Sequence, residues 1–209
     1  MTVTGAVKPG TASVPLTCGS GGVFGAGGSR WQALANSSVA IARLRRMAIK
    51  DGLLAEFDHE TAAARRLLER IPDEKLAWQP HAKSRTLGAL ATHLSELPEW
   101  TDAILNRAQF DLAAAPAAAP PAASRAALLA TFDRHAASAR SMLDKTDGEL
   151  SAYWSLRRGD QEIFTMPRVS AFRTFVLYHL VHHRGQLTVY LRLNDIPVPS
   201  IYGPSADEG

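Results

Sequence analysis

Three observations on this 209-residue chain predict an all-α fold, a four-helix bundle carrying one small β-hairpin. Four long stretches repeat apolar residues at three- and four-residue steps, the period of an amphipathic helix. Prolines and an Ala-Pro segment separate them, and neither continues a helix. Between the third and fourth stretches, two short runs rich in aromatic residues flank a Gly-Asp turn.

The first 46 residues differ from everything after them. The run from Gly19 to Ser29 is mostly glycine and cannot bury enough apolar surface to offset its ordering entropy. A ragged apolar set from Ala33 to Leu44 allows a short helical piece at most. Met47 stands directly before the first clean helical pattern, which predicts that residues 1–46 are a disordered or mis-annotated N-terminal extension and that the domain is 47–209. The rival reading is an acidic-poor targeting peptide containing Arg and Ser.

The first helix is expected from about Ile49 to Ile71, with Leu53, Leu54, Phe57, Ala64, Leu67, Leu68 and Ile71 as its stripe and Pro72 as its stop. His59 falls opposite that stripe, as a solvated histidine would. A loop follows, in which Trp78 is expected to pack onto the bundle. Ser84 or Thr86 caps the second helix, about Leu87 to Arg107, whose stripe runs from Leu87 through Leu94 and Trp100 to Leu105. Pro98 inside this pattern predicts a kink just after His93, because it lacks an N–H and clashes with the preceding turn.

An Ala-Pro linker from Gln109 to Ala123 leads to Ser124, the cap of a third helix reaching about Lys145, which Asp147-Gly148 closes. Tyr153 to Leu156 and Glu162 to Thr165 are the predicted hairpin strands. The fourth helix is expected from about Pro167 to Leu193, opened by that proline and stopped by Asn194-Asp195 and Pro197. The remaining tail is expected to wrap the bundle.

Apolar residues at 46% and charged ones at 21% fit a globular domain with a substantial core. The net charge of +3 is mild. Lys8, Arg30, Arg43, Arg45 and Arg46 all precede the first acidic residue, Asp51, so the basic balance does not mark a nucleic-acid-binding face. No run approaches the roughly 20 apolar residues of a membrane span, and the start has no apolar signal core. The single cysteine, Cys18, lies in the extension. That excludes an intramolecular disulfide, offers no thiolate within the domain, and fits a cytoplasmic location.

Chemistry concentrates in the run Tyr178 to Leu187, which holds three of the seven histidines. A helix turns about 100° per residue, so His179 and His183 point their rings at one spot while His182 points elsewhere. Two imidazoles at this spacing make two-thirds of a metal site. Phe172, Val176, Leu180, Leu187 and Leu191 mark the helix as mostly buried, and several buried polar rings are costly unless something binds them. A lone pair of this kind also occurs as an ordinary core or surface feature. His93, angled inward beside the second stripe, would in isolation be a hydrogen-bonded core residue. Set beside His179 and His183 it is the best candidate for a third ligand, ahead of His135, while His182 remains a rival within the run.

Trp78-Gln79-Pro80, the pattern from Leu90 to His93, the run His179-Leu180-Val181-His182-His183-Arg184-Gly185-Gln186-Leu187 with Tyr190, and the tail from Tyr202 to Glu208 together resemble the DinB (damage-inducible) family of DinB/YfiT-like metal-binding bundles. The likeness covers Met47 to Glu208. It implies a four-helix bundle, often a homodimer, with a divalent metal, zinc or nickel, on His93, His179 and His183. Three neutral imidazoles leave a coordination position open for water or a substrate thiolate. Gln186 and Tyr190 lie near the same face and are expected to orient a ligand or line the pocket. Gly185 would let two helices approach closely, and Arg184 points away toward a surface or interface ion pair.

Relatives in the wider superfamily include transferases that use a low-molecular-weight thiol, so a metal-dependent S-transferase, or a hydrolase-like enzyme using hydroxide, acting on a small molecule is one expectation. A non-catalytic metal-binding stress-response protein is the other. Neither nucleic acid nor membrane is an expected partner.

Overall fold

The computed structural model describes residues 47–117 and 120–209. The extension predicted for residues 1–46 lies outside the described residues. Four helical rods carry the fold. The first is α1, Ile49–Leu68, whose inner face holds Leu53, Phe57, Ala64, Leu67 and Leu68. The second is split: α2 is Leu87–Glu96, a 3-10 turn covers Leu97–Glu99, and α3 is Trp100–Asn106. Pro98 sits in that turn, where its missing N–H prevents regular α-helical bonding. The third is α4, Arg125–Met142.

The expected close of the third helix at Asp147-Gly148 is instead the start of a short helix, α5, Asp147–Ser151. Thr146 accepts from the Glu149 N–H while Glu149 accepts from the Thr146 N–H, a reciprocal cap that turns a stop signal into a start. Thr86 and Ser124 cap α2 and α4 with a single bond each, accepting from Ala89 and Ala127. The fourth rod comprises α6, Arg168–Phe172, a π-helical stretch, Arg173–Tyr178, and α7, His179–Arg192. Rod one packs on α4 and α7, and α2 packs on the same two.

The fold is mostly helical but not purely so. The predicted hairpin forms as β2, Tyr153–Arg158, antiparallel to β3, Gln161–Pro167, with Gly159 supplying the positive φ of the turn. A third strand, β1, Gln109–Asp111, pairs in parallel with β2, giving the order β1-β2-β3 and correcting the all-α expectation. β1 has no alternating apolar pattern of its own. It is held by β2 and by the Asp111 carboxylate, which accepts from the N–H groups of Ala113 and Gly159.

Two adjoining cores result. One gathers Leu67, Leu90, Leu94, Phe132, Leu180 and Leu187 among the four rods. The other joins the rods to the sheet through Leu53, Phe57, Trp154, Phe172 and Val176. Trp154 is fully buried, and its indole N–H donates to the Ala103 carbonyl at 2.8 Å. Trp78 packs edge-on against Tyr190, as the loop was expected to do. The tail folds back over the rods: Ile196 and Val198 pack on the first core, and Glu208 pairs with Arg70. No described helix is long and apolar enough to cross a membrane.

Candidate metal centre

The Thr86 cap sets the start of α2, and two turns later Leu90 and Leu94 go to the core while His93 is left half-buried between them. α7 places His179 and His183 on one face, also half-buried. Packing of α2 against α7 brings the three rings together, with one ring nitrogen of each within 4.8 Å of the others. The Nε2 of His179 lies 2.9 Å from that of His183 and 3.4 Å from that of His93.

The outward nitrogen of one ring is engaged. His183 Nδ1 stands 2.7 Å from Gln186 Oε1, an acceptor, so Nδ1 carries the proton and Nε2 presents its lone pair to the cluster. The Phe175 carbonyl, in the π-helical turn just before His179, favours the protonated form of that ring. Turns of this kind recur at functional sites. The His183 Nε2 lone pair lies 2.9 Å from His179 Nε2, so both nitrogens face one point. Ligands about 2.0–2.1 Å from one tetrahedral ion stand about 3.3 Å apart, close to the spacing of these nitrogens. The donor set therefore fits a divalent ion.

Burial holds all three imidazoles neutral. It pushes His93 down to about 4, helped by the charges of His183, Arg85 and His179. His179 is lowered by burial and by His183 and His182, and His183 by burial before any neighbour. Neutral imidazole is the form a metal binds. Among the described residues, no Cys and no carboxylate joins the cluster.

The other histidines are placed apart. His182 is exposed, its ring edge-on to His183 and outside the convergent set. His59 is exposed as expected, but stacked on Tyr202. His135 lies beside Arg134 in a separate cavity and keeps its Nδ1 buried without a partner. Tyr190 donates to the Arg85 carbonyl. A Cβ on Gly185 would meet nothing within 4 Å, so close helix approach is not its role.

Arg184 departs most from expectation. Instead of reaching the surface it is buried, paired with Glu60 at 2.6 Å and bonded to Tyr202. The signal was present: Leu180, Leu187 and Leu191, at four before and three and seven after, are all core residues of the same helix face.

Known proteins share this frame. The uncharacterized protein YrdA of Bacillus subtilis strain 168 is 29% identical over 166 residues, covering 76% of this chain and 90% of YrdA. A DinB-like protein of Bacillus cereus has a crystal structure with a TM-score of 0.59 at 23% identity, covering 73% of this chain and 97% of that one. A member assigned to the DinB family from Exiguobacterium sibiricum superposes with a TM-score of 0.52 at 18% identity, over 74% and 97%. These structural likenesses speak for the fold. The sequence model of the DinB family matches residues 47–209, the whole described domain, and the chain belongs to the DinB family.

Proposed function

We propose that His93, His179 and His183 hold a divalent metal ion, zinc or nickel, and that the site serves a metal-dependent thiol S-transferase. The observation that carries this reading is the convergence of three Nε2 atoms, that of His183 aimed inward by a bond on its far side. Three imidazoles do not complete a tetrahedral sphere, and an open position is the mark of a reactive site. A bound ion would supply Lewis acidity that lowers the pKa of a thiol or water.

The remaining work falls to the chain. Gln186 fixes the tautomer of His183, and burial keeps the extra proton off the rings at neutral pH. The thiol in this reading is a low-molecular-weight one. In the transfer, the thiol gives its proton to solvent, its sulfur forms a C–S bond with an electrophilic carbon, and the leaving group departs with the electron pair of the broken bond.

Elemental analysis of untagged protein tests the metal reading. About one metal per chain is expected in the wild type and in His182→Ala, with loss in His93→Ala and His183→Ala. Metal retained in both loss variants overturns the assignment.

A further inference from the structure

A cavity of about 600 Å³ opens between α3 and α4, and none of the three clustered histidines lines it. Its volume is that of a small-molecule site. Pro98, which breaks the second rod, stands on its wall together with Ala115 and Pro116 of the linker. The rest of the apolar wall is aromatic and braced from behind. Trp100 meets Phe110 at 5.0 Å between ring centroids with a 53° tilt, and it stacks on Phe175 at 5.9 Å and 20°. Phe175 stacks in turn on Phe164 of β3, at 5.4 Å and 7°. A ring held in such a stack does not swing inward to fill the space.

The charged groups on the wall cancel. Asp102 accepts from two Arg107 nitrogens, at 3.1 and 2.8 Å, and from the Asn106 amide at 3.0 Å. Arg134 turns a guanidinium nitrogen toward His135 Nε2 at 3.3 Å. Arginine has donors only, so that Nε2 accepts and the His135 ring carries no charge. Glu99 and Arg134 are left, one of each sign.

We propose that this cavity is a second ligand site, separate from the three histidines, and that it takes a small, flat, uncharged aromatic molecule. Trp100 and Phe110 offer such a ring offset and edge-on contacts. An ionic ligand would leave water for a wall with no excess of opposite charge, which is costly. The inference stands whether or not the metal reading holds.

The test titrates full-length protein with two dyes that brighten on leaving water. N-phenyl-1-naphthylamine is neutral, and 8-anilinonaphthalene-1-sulfonate has the same rings with a negative charge. The neutral dye should bind about tenfold more tightly. Ser138 lines the cavity from an exposed position on α4, so Ser138→Phe places a ring inside it and should weaken neutral-dye binding about tenfold. Ala115→Phe fills the same space from the linker and should act alike, without touching a helix. Ala137→Phe adds an equal ring to the exposed face of α4 outside the cavity and should change nothing. His93→Ala, which should no longer take up cobalt, should bind the neutral dye as the wild type does. Equal affinity for the two dyes overturns the uncharged class. Neutral-dye binding that is absent from the wild type, survives both filling variants, or falls as far in Ala137→Phe or His93→Ala overturns the site.

Discussion

Arg184 and Glu60 form an ion pair at 2.6 Å with side chains only 2% and 15% exposed, and Tyr202 of the tail closes it by donating to the Glu60 carboxylate at 2.9 Å. The pair joins α7 to α1 directly behind the helix turn that carries His183. Charges taken out of water gain little net stability when matched, but an unmatched one is costly. Glu60→Ala should therefore lower unfolding stability by about 3 kcal/mol, measured by urea denaturation. Replacing both partners together, Glu60→Leu with Arg184→Met, should recover much of the loss. A single-variant loss below 1 kcal/mol, roughly that of an exposed pair, would show that the pair is not shielded in solution.

Gln186 is exposed, so replacing it should leave folding intact. Its oxygen, however, is the partner that keeps the His183 proton on Nδ1. Removing such a partner typically weakens metal affinity by about 10- to 100-fold. Gln186→Leu should show that loss in competition with a chelator, with an unchanged unfolding midpoint for the metal-free protein. Equal metal affinity would mean that helix geometry alone orients the ring.

The parts of the fold legible in the sequence were those with a period or a punctuation mark. The stripe of α1, the caps at Thr86 and Ser124, and the break at Pro98 each follow from residues within a few positions of one another. β1 was invisible because Gln109, Phe110 and Asp111 become a strand only by pairing with residues 46 positions away, as Gln109 with Ser155. The π-helical turn at Arg173–Tyr178 leaves no mark in the apolar spacing. The pairing of His179 with His183 is local and could be foreseen, and His93 came from its place on the inner flank of a neighbouring stripe. Arg184 was misjudged by residue type when its position on the helix spoke for the core.

The pH dependence of the metal-free protein follows from His93. Its folded value is pushed down to about 4 from the usual 6.5, mainly by burial. Between those values the unfolded chain binds the proton and the folded chain does not, so stability falls as pH falls from about 6.5 toward 4 and is unaffected by this group above that window. His179 and His183, also lowered, act in the same direction. Urea midpoints at pH 7.5 and pH 5 should differ more in the wild type than in His93→Gln. Equal differences would place the acid sensitivity elsewhere. Metal should be released over the same range, because protons compete for the same nitrogens.

Gly88 ties the loop bearing Arg85 to the helix bearing His93. Its N–H donates to the Leu76 carbonyl at 2.9 Å, and a Cβ built on it would come within 3.0 Å of that oxygen and 3.2 Å of the Leu76 Cβ. Backbone cannot yield as a flexible side-chain end can, so Gly88→Ala must push the Leu76 segment outward and stretch that bond. The expected cost is about 1–3 kcal/mol, in the range of overpacked interiors, despite the better helix propensity of alanine. His93 lies five residues further on, beyond a full turn of α2, so the rings should still converge and cobalt content should hold. Gly88→Ala should thus lower the urea midpoint while leaving the metal in place. Loss of cobalt with an unchanged midpoint would show that the helix, and not the Leu76 segment, takes up the strain.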